Sequence, residues 1–405
     1  MFSLWFRFRQ TSGLFFTSMF AARLADQFLL FVVPLVVYQT TGSVSLSGLA
    51  YAAETLPRIL FFPVCGVLSD RYSPLRLMQI SQVGRALICA LGLIGFALFD
   101  GLGWVVGISA LCGLLTTQGF MAREVMLPQI FANTRFEKVQ SISQSVDQTS
   151  VVTGPLLAAS LFALSNWQAV VVASGILFVI AEIAMLIWRR GNKTAIVATD
   201  AAPGPWTRPF KTALGHLVFL PGLKRVITLT ASVNLVFGIT LATSAAMVTG
   251  LHGQSEEHYA LLQTVGAVFT ILVLMAAGAS RLSVGRIGLI SFSGVFIGGV
   301  LTAISPDYWL YMIGFAVVLG FDGMFNIYIR TIRQKIIPAK DYGKTTGVII
   351  LFNNMTQPLA GLLVGLTGSL EETGWLILIL SGVMLFGGLL MSLPRFQAKP
   401  IIAKP

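Results

Sequence analysis

The sequence predicts an all-α membrane protein of twelve transmembrane helices, arranged as two pseudo-symmetric halves of six. Three observations carry this expectation: a composition too apolar for water, a regular succession of hydrophobic runs, and a split of basic residues between alternate connections. Of the 405 residues, 55% are hydrophobic and 11% charged, with a mean hydropathy of +0.82. A soluble globular chain carries about 25% charged residues, so this one lacks the polar surface to face water all round.

A membrane span needs about 20 mostly apolar residues. Runs of that kind lie at 12–38, 44–68, 76–98, 103–125, 139–163 and 167–188. A second set follows at 224–249, 257–280, 286–305, 308–330, 345–367 and 374–393. No small-residue cleavage site follows the first run, which is therefore read as a retained span and not a signal peptide. Between the sets, Arg189, Arg190, Lys193, Arg208, Lys211 and the run DAAPGPWTRP mark a hydrophilic linker, with a short amphipathic helix around Phe210–Leu220. The expected organisation is residues 1–188, a cytoplasmic linker over 189–223, and residues 224–405.

Basic residues orient the spans. Arg7 and Arg9 precede the first, Arg71 and Arg76 follow the second, and Arg135 and Lys138 follow the fourth. Arg281 and Arg286 follow the eighth, Arg333, Lys335, Lys340 and Lys344 the tenth, and Arg395, Lys399 and Lys404 the last. The opposite connections contain no Lys or Arg, only Asp100, Glu256, Glu257, Asp307, Glu371 and Glu372. The positive-inside rule then places both termini in the cytoplasm of a multi-pass protein, which we expect in a bacterial inner membrane. The net charge of +11 follows from this topology and from anionic lipid of the cytoplasmic leaflet, with no need of nucleic acid. Cys65, Cys89 and Cys112 lie inside apolar runs with no metal or redox spacing, and read as small core residues.

The two sets repeat one another. GVLSDRYSPLR after the second span aligns with GASRLSVGR, Gly278–Arg286, after the eighth, with Leu282 and Ser283 in place of Asp70 and Arg71. TGPLLA at Thr153–Ala158 matches TQPLAG at Thr356–Gly361, and Arg123…Pro128 matches Arg333…Pro338. Three matches in one order imply related halves, an arrangement known in transporters that alternate access around a midplane site.

The first of these stretches, Gly66-x-x-x-Asp70-Arg71-x-Ser73-x-x-Arg76, resembles the signature of the major facilitator superfamily in the loop between spans two and three. It departs by Ser73 and Pro74, where a Gly and a basic residue are usual. Arg23-Leu-Ala-Asp26, VVYQTTGS at Val36–Ser43, ETLPRILFFPVCGVLSDR at Glu54–Arg71 and Gly154-Pro155 resemble the drug-and-siderophore exporter branch, which includes macrolide pumps and enterobactin exporters. The resemblance implies the major facilitator fold. It implies that Asp70 faces the start of the eleventh helix near Thr345–Gly347 as a latch, with Gly66, Arg71 and Arg76, and that Gly154 and Pro155 bend and seal the fifth span. The alternative for the loop is an acid that caps its own turn.

An ionised group in hydrocarbon costs at least about 2.5–3.5 kcal/mol on insertion scales, so each one asks for a partner or a task. Arg23 and Asp26 lie three apart in the first span and Glu54 and Arg58 four apart in the second; if those faces meet, four charges form a neutral network. Either Asp26 or Glu54 exchanges a proton to couple transport, or each pair is a static bridge that fixes packing. Asp147 and Glu182 lie in the fifth and sixth spans, Glu182 snorkelling toward the interface, and Asp322 in the tenth beside Asn326 reads as a cavity residue. Mid-span amides, Gln27, Gln118, Gln144, Gln148, Asn234, Gln263, Asn353, Asn354 and Gln357 among them, suit a polar substrate or tie helices together.

The spacing of HGQSEEH, His252–His258, matches no metal motif and reads as a solvated acidic loop. No phosphate loop or nucleophile elbow is present, so the sequence predicts no enzyme, no cofactor and no ATP drive. The expectation is a monomeric secondary transporter exporting a small amphipathic molecule by proton antiport. A proton-coupled nutrient importer shares the fold, and a non-transporting membrane sensor is the remaining alternative.

Overall fold

The computed structural model describes residues 2–41, 56–192, 194–199, 205, 207–355 and 370–392. They are helical, with no strand among the described residues. The first six long elements are α1 Phe2–Thr41, α2 Phe62–Arg71, α3 Pro74–Phe99, α4 Gly103–Ile130, α5 Phe136–Leu164 and α6 Trp167–Gly191. Then come α7 Thr207–Phe219, α8 Leu223–Ala245, α9 Glu256–Ala279, α10 Val284–Ile304, α11 Tyr308–Ile336, α12 Tyr342–Asn354 and α13 Leu370–Ser392. Among the described residues, nine helices are long and apolar enough to cross a membrane. Helix α5 covers the fifth expected run, while parts of the second and eleventh, including Glu54, lie outside the described residues. The amphipathic helix expected in the linker is α7.

Local sequence explains where the helices begin and end. Pro74 opens α3, where a missing N–H costs nothing. Asn166 caps α6 by accepting from the Ala169 amide at 2.9 Å, and Asp307 caps α11 by accepting from Trp309 and Leu310 at 2.8 and 3.0 Å. Asp100 and Gly101 turn the chain between α3 and α4 at positive φ, 51° and 106°. At the far end of α8 the ladder widens into a π-helical turn, Ala246–Leu251.

The chain divides into two compact units. Unit 1 holds Met1–Ala132, Val146–Pro205 and Lys340–Gly347; unit 2 holds Asn133–Ser145, Trp206–Ala339 and Val348–Pro405. Helices α5 and α12 therefore each contribute their first turns to one unit and the rest to the other. In unit 1, Ala25, Leu29, Cys89, Cys112 and Phe178 share one buried cluster, and Val32, Val33, Val105, Ala158 and Val170 share another. In unit 2, Tyr311 and Phe315 pack on Met247 and Leu262, and Leu274 packs on Ile287 and Ile327.

Polarity runs inside out relative to a soluble protein. On α3 the outward stripe is Leu87, Leu91, Ile94 and Leu98, exposed at 55–70%, while Ser81, Gln82 and Arg85 are buried. Hydrocarbon solvates the stripe, and the polar side chains find partners inside.

Gly154 shows how tightly the helices meet. A Cβ there would lie 2.3 Å from Cβ of Gln27 on α1, so only glycine lets α5 approach at that point. Gly154→Val is expected to lower stability by about 1–3 kcal/mol through overpacking, read as a lower midpoint in thermal unfolding of the detergent-solubilised protein. Gly154→Ala should fall between wild type and Val.

Candidate functional site

The opening turn of a helix carries amides with no partner in the helix. At the start of α12, two of these amides, Gly343 and Lys344, donate to the two carboxylate oxygens of Asp70, both at 2.8 Å. Asp70 sits at the end of α2 and is 1% exposed. The sequence expectation placed its partner near Thr345–Gly347; the contact falls just before, at Gly343 and Lys344. Close approach makes it possible, since a Cβ on Gly66 would lie 2.2 Å from the Gly343 carbonyl oxygen. Thr199, in the segment after α6, adds its hydroxyl to Asp70 at 3.2 Å, and Lys344 Nζ is tied to Asp341 at 2.7 Å. Arg71 is half-buried and Arg76 exposed.

The aligned stretch in unit 2 makes a counterpart with opposite polarity. Arg135, just ahead of α5, donates to the carbonyls of Ser280 at 2.9 Å and Leu282 at 3.1 Å, at the end of α9. Ser141 of α5 donates to the Leu274 carbonyl, and a Cβ on Gly278 would meet the Ser141 hydroxyl. Leu282 stands where Asp70 stands in the first copy, so a guanidinium reading carbonyls replaces a carboxylate reading amides.

The buried charges pair otherwise than the sequence suggests. Asp26 on α1 is bound by Arg85 of α3, at 2.9 and 3.1 Å, and by the Thr116 hydroxyl at 2.6 Å. Arg85 also donates from Nε to the Ser81 carbonyl at 3.1 Å and lies 4.4 Å over the Phe178 ring. Arg23, expected beside Asp26, is half-buried, and its Nε has no hydrogen-bond partner. Arg58 lies along α4, where a Cβ on Gly113 would sit 2.3 Å from its Nε. The neutral network Arg23–Asp26–Glu54–Arg58 is thus replaced at Asp26 by Arg85, while Glu54 lies outside the described residues. Sequence reasoning missed Arg85, although a lone arginine inside the third apolar run was its signal.

Other sequence-selected groups fall into distinct settings. Asp147 of α5 is bridged by both terminal nitrogens of Arg123 at 2.9 and 2.8 Å. Glu182 accepts from Gln79 at 3.0 Å. Asp322 on α11 is buried; Oδ2 accepts from Asn326 at 3.0 Å, and Oδ1 has no hydrogen-bond partner. At the adjacent residues, the Gln144 side-chain amide, oriented so that its nitrogen donates and its oxygen accepts, bridges the Gly323 carbonyl and the Ile327 amide at 3.2 and 3.1 Å. Among the described residues no cluster could hold a metal ion.

Two outcomes follow. Removing one partner of a buried ion pair costs about 3–5 kcal/mol because the other charge is stranded. Arg85→Met should therefore destabilise unit 1 by that order, and Asp26→Leu combined with Arg85→Met by clearly less, read in a double-mutant cycle of unfolding midpoints. At the α2–α12 contact, burial is the largest influence on Asp70 and pushes its carboxyl from 3.8 up to about 7, against the pull of the two amides, Lys344 and Thr199. A carboxyl that binds its proton more tightly inside the contact than in water favours the contact at low pH. The contact should weaken as pH rises through about 7. Spin labels on Tyr72→Cys and Lys340→Cys should report a broader distance distribution at high pH than at low, and Asp70→Asn should remove the difference.

The sequence matches the Major Facilitator Superfamily over residues 15–300. An uncharacterised MFS-type transporter of Bacillus subtilis (strain 168), YfiS, is 23% identical over 335 residues, covering 79% of this chain and 78% of that protein. A bacterial homologue of the iron transporter ferroportin, in its outward-facing state, superposes with a TM-score of 0.74 at 17% identity, covering 94% of this chain and 98% of its own. The proton:xylose symporter XylE superposes with a TM-score of 0.66 at 13% identity, covering 94% and 96%. The repeated helix-end contacts, the bundle of apolar helices and these matches together place the chain in the Major Facilitator Superfamily, as a multi-pass membrane transporter with the all-α fold of that family.

Proposed function

We propose that the protein exports a small amphipathic molecule, a siderophore-like metabolite or a drug such as a macrolide, from the bacterial cytoplasm. Proton antiport drives it, by alternating access between halves 1–188 and 224–405 joined by the linker 189–223. The observation that carries the coupling is Asp322, a buried carboxylate with one oxygen unpartnered and an amide, Asn326, as neighbour. An unpartnered oxygen can take up and release a proton, and the change in charge alters the polarity around it. Asp26 is less suited, because Arg85 and Thr116 already compensate its charge.

The contacts at Asp70 and Arg135 serve in this reading as paired latches on the cytoplasmic side, with Gly66, Arg71 and Arg76 supporting the first. Each must open once per cycle, and a buried carboxyl that titrates near neutrality suits a closure of modest strength. Gly154 and Pro155 hold α5 against α1 and seal the outer end. The exporter assignment itself is supported by the resemblance of the Arg23–Asp26, Glu54–Arg71 and Gly154-Pro155 stretches to that branch.

The test is transport in proteoliposomes under an imposed pH gradient, with a catecholate siderophore and a macrolide as cargoes. Cargo should move against the proton, and Asp322→Asn should abolish gradient-driven movement while leaving exchange at equal pH. Asp26→Asn should lower stability more than coupling. Cargo moving with the proton makes the protein an importer, and unchanged transport in Asp322→Asn removes that residue from the coupling step.

A further inference from the structure

Unit 2 contains a cavity of about 280 Å³ at the end of the helices that carries Lys224, Arg225, Arg281 and Arg286. It lies among the first turns of α8 and α10 and the last turns of α11 and α13, and none of the groups assigned to transport above lines it. Most of its wall is apolar. Gly288 and Gly388 shape it: a Cβ on either would lie 2.6 Å from the ring of Tyr328 or Phe292, so these glycines let the two rings lie back into the wall. Leu289 and Leu389, 68% and 60% exposed, also line it and present apolar side chains to the surrounding bilayer.

One side of the cavity is not apolar. Arg225 and the side chain of Tyr328 line it together. Arg225 is half-buried, and its Nε is buried without a hydrogen-bond partner. A guanidinium in that position has a donor to spare, and none of the described lining residues is acidic, while Lys224 and Arg286, both exposed, add positive potential beside it. An occupant that satisfies all of this has an anionic, multi-oxygen head and an apolar tail. The head meets Arg225 and the Tyr328 hydroxyl, and the tail fills the space between Phe292 and Leu389 before continuing into hydrocarbon.

We infer that this cavity binds an anionic phospholipid, with the phosphate on Arg225 and an acyl chain along the α10–α13 wall. Charge complementarity selects the head, since arginine forks match phosphate oxygens and a basic pocket between transmembrane helices is the expected form of a lipid headgroup site. The exposed leucines select a membrane amphiphile over a water-borne anion. A bound lipid would join α8, α10, α11 and α13 at one end and hold Arg225 in place.

Native mass spectrometry of the intact, delipidated protein tests this, with dioleoylphosphatidylglycerol and dioleoylphosphatidylcholine added in turn. The expected result is one tightly retained phosphatidylglycerol per chain, preferred over phosphatidylcholine by at least about tenfold, which corresponds to about 1.4 kcal/mol. Arg225→Gln should remove the preference while leaving weak retention of either lipid. Gly285→Leu should reduce both, because position 285 lines the cavity and has open space for a side chain. Equal retention of the two lipids by the wild type overturns the inference, as does phosphatidylglycerol binding that neither substitution alters. Retention of neither lipid overturns it too, and inorganic phosphate protecting the protein as well as the lipid would assign the site to a free anion instead. Lipid retention is read without transport, so failure here leaves the exporter reading untouched.

Discussion

One helix start and one helix end, each capped by side chains distant in sequence, organise this molecule. The first turn of α12 presents amides that its own helix cannot satisfy, and Asp70, at the end of α2, satisfies two of them. The first turns of α5 sit in unit 2, where Arg135 and Ser141 hold carbonyls at the end of α9. Each compact unit therefore includes a short stretch of a helix whose remainder belongs to the other. A stretch held by two or three polar contacts is easier to release than a packed helix, because its contacts reach only about a kcal/mol or two apiece. In the latch reading proposed above, these segments are the parts that open.

The internal repeat is preserved as geometry and altered as chemistry. Both copies keep a glycine at the close contact, Gly66 against the Gly343 backbone and Gly278 against the Ser141 side chain. The polar group then differs in sign, a carboxylate against amides in one copy and a guanidinium against carbonyls in the other. Helix ends offer both kinds of orphan, donors at the start and acceptors at the finish, so either solution closes the contact. A duplicated stretch can thus drift in charge without losing the contact.

Buried charge is handled in two ways. Asp26 and Asp147 are each matched by an arginine from a neighbouring helix, and such pairs act as fixed spacers in a medium that would otherwise reject both partners. Asp322 is instead hydrogen-bonded through one oxygen by an amide, Asn326. An ion pair resists a change in protonation, whereas a carboxylate facing an amide tolerates either state.

The sequence alone determined the solvent, the helices and the family. Hydrophobic run length and the placement of Lys and Arg are properties of short segments, because a span must satisfy its own backbone hydrogen bonds before it meets any neighbour. That is why runs such as 76–98 and 286–305 reappear as Pro74–Phe99 and Val284–Ile304. The stretch Gly66–Arg76 also announced the loop acid and the helix it would reach, missing the partner by one or two residues. Tertiary structure alone decided which charges meet. Arg23 and Asp26 share a helical face, yet Asp26 binds Arg85 from another helix, and the Arg225 cavity is assembled from four helices far apart in the chain. Helical spacing fixes which face a side chain occupies, but the face it meets depends on how the helices pack, and no local pattern of residues encodes that.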